Sequence, residues 1–157
     1  MSAEAFGILA SRWYPAEVIH GVCDAVIEGM AATQRAALAR DAARVLMDAT
    51  LRGIYRVLFE QLASPARIVQ FAPRIWRTYF DSGERRTEVV SPRRHDGIVR
   101  DWRGHHPFLC AVQVHSTSSL YQAAGCRNVA TTSLECVELG APHCRWSTTW
   151  QPCHDEI

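Results

Sequence analysis

The sequence predicts an α+β domain, an antiparallel sheet of two hairpins packed with about four helices. Two changes of pattern carry that expectation. Up to about residue 83 the apolar residues recur at the three-and-four spacing of a helix face, whereas from 84 onward short β-branched runs alternate with turns bearing Gly and Pro. One more helical stretch, 106–125, interrupts the strand-like part, and no repeat or low-complexity linker divides the chain. The 157 residues therefore read as a single domain: helices within 1–83, a hairpin over 84–104, a helix over 106–125 and a C-terminal hairpin over 127–151.

The first helix is expected from Pro15 to Met30, with Ile19, Val22, Cys23, Val26, Ile27 and Met30 on one face and Pro15 suited to a first turn. A second, rich in Ala and Arg, runs from Gln34 to Leu62 with Gly53 as its weak point. Ser64 and Pro65 form a cap and first-turn pair for a third, whose face of Ile68, Val69, Phe71, Ala72, Ile75, Trp76 and Tyr79 ends before Gly83. Arg85–Val90 and Ile98–Trp102 flank the turn Ser-Pro-Arg-Arg-His-Asp-Gly and form the first hairpin. Pro107 opens the fourth helix, which runs to Gly125. Val129–Leu139 and Cys144–Trp150, reversed at Gly140-Ala-Pro-His143, form the second hairpin.

Composition narrows the function. With 48% hydrophobic residues the chain can bury a real core. Its 17 basic and 16 acidic side chains nearly cancel, so no overall field draws it to nucleic acid or anionic membrane. No apolar run has the length of a membrane span, and the N-terminus lacks a signal-peptide pattern, which together give the expectation of a cytoplasmic protein. A chain of this size folds without staples, so the six cysteines read as buried thiols or metal ligands rather than a disulfide framework.

Cys136 and Cys144 lie at opposite ends of the expected C-terminal turn, and Cys110 sits early in the preceding helix, so three thiolates can converge there. Zinc suits thiolates and a structural zinc takes four donors in a tetrahedron, which leaves one to find. His106, Glu138 and His143 are the candidates: His106 stands four residues before Cys110, Glu138 shares strand parity with Cys136, and His143 adjoins Cys144. Simple burial of the cysteines as small hydrophobes is the alternative.

Glu135-Cys136-x-x-x-Gly140-x-x-x-Cys144-Arg145, preceded by Cys110, resembles the C-terminal signature of the 4-vinyl-reductase-type domain superfamily. The likeness is specific from about Pro107 to Trp146, and the stretch around Arg74-Ile-Trp76 is similar to uncharacterised myxobacterial-type members. In the effector-sensing domains of phenol-responsive transcription activators of that superfamily, zinc ligands occupy positions matching Cys110, Cys136 and Cys144, so the resemblance implies a zinc site. The family's glutamate three positions before the second cysteine is replaced here by Ser133, a poor zinc donor. The resemblance further implies a small-molecule-binding fold, shared with heme-based nitric-oxide sensors and with subunits of vesicle-tethering complexes. The histidine and tryptophan that hold the phenol hydroxyl have no matching positions here.

Trp76, Tyr79, Phe80 and Trp102 could line an apolar pocket, with ordinary core packing as the alternative. His115 is the residue an axial heme ligand would require. The arginines of the middle of the chain, Arg85 among them, are interspersed with acids and read as a solvated face. Cys126, Cys153 and His154 carry no role that the pattern identifies. No nucleophile–base pair, phosphate-binding glycine loop or zinc-protease motif is present, so the chain is expected not to be an enzyme. The leading expectation is a homodimeric sensor or carrier of a small apolar or aromatic molecule with a structural zinc. A protein-interaction module without a ligand cavity and a heme-binding sensor are its rivals.

Overall fold

The computed structural model describes residues 12–52 and 64–152. Along these the order is α1 (Ala16–Ile27), α2 (Ala32–Arg52), α3 (Pro65–Tyr79), β1 (Glu84–Ser91), β2 (Arg94–Arg100), α4 (Pro107–Ala123), β3 (Arg127–Glu135), a 3-10 turn (Val137–Leu139) and β4 (Cys144–Gln151). The α+β class expected from the sequence is what forms. The rest of the expected second helix, from Gly53 to Leu62, and the tail with Cys153 and His154 lie outside the described residues.

Local chemistry starts the helices where the pattern places them. Ser64 Oγ accepts the Arg67 N–H at 3.4 Å with Pro65 in the first turn of α3. At α4 the cap is His106: its backbone is extended, its Nδ1 accepts the Phe108 N–H at 3.1 Å, and Pro107 follows.

The strands pair antiparallel in the order β1-β2-β4-β3, so the two expected hairpins join through β2 against β4. The first hairpin turns on Pro92 and Arg93 alone. The longer turn read from the sequence is corrected because Arg94 to Gly97 pair with both β1 and β4. The second hairpin's first strand stops at Glu135, not Leu139: the chain leaves the sheet at Cys136, makes the 3-10 turn and reverses at Gly140, whose φ of +85° favours glycine.

One face of the sheet is covered by α3 and α4, and α2 crosses the outer side of α4, where Ala39 and Ala43 meet Val112. Cys144, Trp146, Thr148 and Trp150 all point to the covered face, the strict alternation of a half-buried strand. Around Trp146 gather Trp76, Val99, Trp102, Cys110 and Val114; around Trp150 gather Ile68, Ile75, Leu120 and Tyr121. Helix α1 behaves otherwise: Cys23 is buried, but Val18, Ile19, Val22 and Val26 of its apolar face are 40–44% exposed.

On the opposite sheet face Asp96 is fully buried beneath two arginines, with Arg145 Nη2 donating at 2.7 Å and Arg94 Nε at 3.2 Å. Burial alone would raise its carboxyl, but hydrogen bonds from Arg94, Arg145 and Ser147 outweigh that and hold it below the ordinary carboxylate range. A depressed folded-state value means stability that is present above the unfolded value and is lost as the pH falls through the folded one. Asp96→Asn is therefore expected to destabilise by about 2 kcal/mol at neutral pH, less than for a fully buried pair because both arginines keep water contact. Urea unfolding across pH checks this: the gap to wild type should close below about pH 4, and a gap independent of pH would show that the charge is not its source.

Candidate functional site

Four side chains from four segments meet at one end of the sheet. His105 precedes α4, Cys110 lies in its first turn, Cys136 ends the β3 segment and Cys144 opens β4; their donor atoms all lie within 4.8 Å of one another. Thiolates bound to zinc at about 2.3 Å define tetrahedral S···S edges of about 3.8 Å and thiolate–imidazole edges of about 3.6 Å. The Cys144 and Cys136 sulfurs stand 3.8 Å apart, and Cys136 Sγ is 3.6 Å from His105 Nε2. Cys110 and Cys144 are buried, His105 and Cys136 partly so, and none of the three thiols is in a disulfide. Donor chemistry and spacing thus fit a metal ion. The group also shares its protons unequally: a hydrogen bond from Cys110, partly opposed by burial, holds Cys144 low, while the same bond and burial push Cys110 up.

The fourth member of the cluster is His105, and the three donors expected from the sequence lie outside it. His106 spends Nδ1 on capping α4 and places Nε2 3.1 Å from Asp24 Oδ1. The helix begins only at Pro107, so His106 never joins the helical face that would align it with Cys110. His143 Nε2 stands 3.0 Å from Glu135 Oε2, and Glu138 is exposed on the 3-10 turn. Ser133 is exposed on β3. Two histidines in a row conceal which one faces the thiols; what separates them is that the residue before a helix-opening proline becomes the cap.

A cavity of about 100 Å³ lies between α2, α3, α4 and the start of β1. Trp76, Tyr79 and Phe80 line it, together with Met47, Ile75 and Leu120. Trp102 instead lines, with Tyr79 and Phe80, an adjoining groove of about 590 Å³; its ring packs edge-on to Trp76 and Phe80 at 5.0 Å each and lies 5.6 Å from His105, linking the aromatic wall to the metal-type cluster. The polar part of the wall is Thr50, Arg85, Gln113, Ser116 and Thr117. Arg85 is a correction to the solvated-face reading, since it is buried. Strand alternation supplies the missing signal, because Arg85 and Thr87 point inward while Glu84, Arg86 and Glu88 point to water. His115 faces an outer groove beside Cys110 and Thr131 rather than this cavity. Cys126 is disulfide-bonded, which the sequence reading does not anticipate.

No protein-family model matches the sequence, and no curated protein matches it. Solved structures do match the fold. A trafficking protein particle complex subunit 3 from Naegleria fowleri, covalently bound to palmitic acid, superposes with a TM-score of 0.65 at 7% identity over 88% of this chain and 96% of that one. The phenol-responsive sensory domain of the transcription activator PoxR, with phenol, gives 0.65 at 13% identity over 92% and 78%. An H-NOX protein from S. oneidensis in the Fe(II)NO ligation state gives 0.63 at 12% identity over 92% and 80%. The chain thus has a fold that small-molecule sensory domains also use.

Proposed function

We propose that this domain is a non-catalytic sensor or carrier of the 4-vinyl-reductase type that encloses a small apolar or aromatic molecule, with a structural zinc ion held by His105, Cys110, Cys136 and Cys144. The observation that carries the proposal is that α4 serves both sites: Cys110 in its first turn belongs to the four-donor cluster, and Ser116, Thr117 and Leu120 two turns on line the cavity. An ion there ties the helix that walls the cavity to the end of the sheet. Four protein donors leave no open position for a reactive water, which favours a structural over a catalytic metal.

The exposed apolar face of α1 is the surface through which a homodimer would form. A cytoplasmic location accords with three free thiols in one cluster, although the bonded Cys126 is more at home in an oxidising compartment. Among the described residues no helix is long and apolar enough to cross a membrane, and the balanced charge gives no field for nucleic acid.

Native mass spectrometry of protein purified without added metal tests the proposal. One zinc per chain, in a dimer retaining a small molecule, is the expected spectrum. A metal-free species without adduct would shift the reading to an interaction module like the trafficking subunit.

A further inference from the structure

We propose that the cavity between α2, α3 and α4 selects an organic anion, a carboxylate on a ring-sized apolar body, through Arg85 and Ser116. This rests on the ligand-binding reading above and adds the chemistry of the ligand. Among the described residues the wall holds one cation and no carboxylate.

Arg85 is only 8% exposed. Its Nη2 donates to Thr117 Oγ1 at 3.2 Å and its guanidinium carbon lies 5.4 Å from the Trp146 ring centre, yet no described carboxylate stands within ion-pair distance of it. Burial lowers the guanidinium only to about 10, so it keeps its charge at neutral pH. Its Nε is buried without a hydrogen-bond partner, and so is Ser116 Oγ in the same wall. A buried cation without a counter-charge is destabilising, and buried polar side-chain atoms without a partner are uncommon in folded proteins.

A single carboxylate resolves both. Its two oxygens match the guanidinium fork and can also accept from the serine hydroxyl, while Ile75, Trp76 and Leu120 take the apolar body. An apolar cavity of about 150 Å³ accepts benzene; this one is smaller, at about 100 Å³, but it shares Leu46, Tyr79, Phe80 and Gln113 with an adjoining groove of about 590 Å³ that gives a ring the remaining room. A neutral ring of equal size would leave Arg85 uncompensated.

Isothermal titration of the zinc-replete protein at neutral pH with benzoate and with benzyl alcohol tests this. Benzoate is expected to bind about ten-fold tighter or more. Arg85→Met should erase that preference by weakening benzoate alone, and Ser116→Ala should weaken benzoate several-fold. Thermal melting separates ligand recognition from structural support: ligand-free Arg85→Met should melt no lower than wild type, because the change removes an unpaired buried charge. Benzyl alcohol binding as tightly as benzoate would overturn the anion inference and leave the ligand-binding reading standing. Binding by neither ring would overturn both. An Arg85→Met protein that melts lower or fails to fold, with benzoate affinity intact in Ser116→Ala, would make Arg85 a packing residue and overturn the inference.

Discussion

With zinc bound as proposed at His105, Cys110, Cys136 and Cys144, a strong chelator is expected to lower the melting temperature of this domain by roughly 10 °C, and Cys110→Ser should reproduce the drop without chelator. The magnitude follows from linkage. An ion at about a thousand times its dissociation constant adds about 4 kcal/mol to a folded state that alone assembles the site, and in a domain of this size each kcal/mol moves the midpoint by about 2–4 °C. The loss is smaller than in a zinc finger, which unfolds without metal, because the core cluster around Trp150 stands apart from the ligands. It is large for one position because the four donors come from the loop before α4, its first turn, the end of β3 and the start of β4. Buried thiols without a metal would behave differently: Cys110→Ser would still cost a little, but wild type would ignore the chelator. The deciding comparison is chelator sensitivity in wild type and its absence in Cys110→Ser, followed by differential scanning fluorimetry. Cobalt substitution, with its thiolate charge-transfer bands, reports the same ligands independently of stability.

The helices and strands were legible because each announces itself locally. Ser64-Pro65 and His106-Pro107 set two helix starts, and the β-branched runs from residue 84 set the hairpins. What the pattern cannot show is which hairpin strands become neighbours, since the β2–β4 pairing joins residues about 50 positions apart through the tertiary fold. The three cysteines of the cluster were legible from spacing across one turn; His105 was not, because choosing between adjacent histidines requires knowing that one of them caps the helix. Composition also hid Arg85. Surrounded by other arginines it looks solvated, and only its strand parity and the cover of α3 place it inside. The first helix shows the opposite failure, as an apolar stripe at helical spacing signals burial without saying against what, and here most of that stripe remains open.

Gly97 carries the second large effect. In sequence it punctuates a turn; in the structure it sits in the middle of β2, directly opposite Trp146 on β4. Its value lies in the room it leaves rather than in an unusual backbone: a Cβ there would stand 2.5 Å from both Cε2 and Nε1 of the Trp146 indole. That ring is 1% exposed, wedged among Trp76, Val99 and Cys144 with the Arg85 guanidinium over it, so it cannot swing aside. Gly97→Ala is therefore expected to destabilise by about 3 kcal/mol, the upper part of the range for overpacking a core. Because the displaced indole supports Arg85, the substitution should also weaken any ligand held in the adjoining cavity. Trp146→Phe shortens the ring at the point of collision at the expense of some packing. Measured by urea unfolding, the double variant should be less damaged than the sum of the two single variants by about 1–2 kcal/mol, the signature of two side chains competing for one space. Strict additivity would mean that the alanine methyl is accommodated elsewhere, and that the bare backbone at Gly97 is not what seats the indole beneath Arg85.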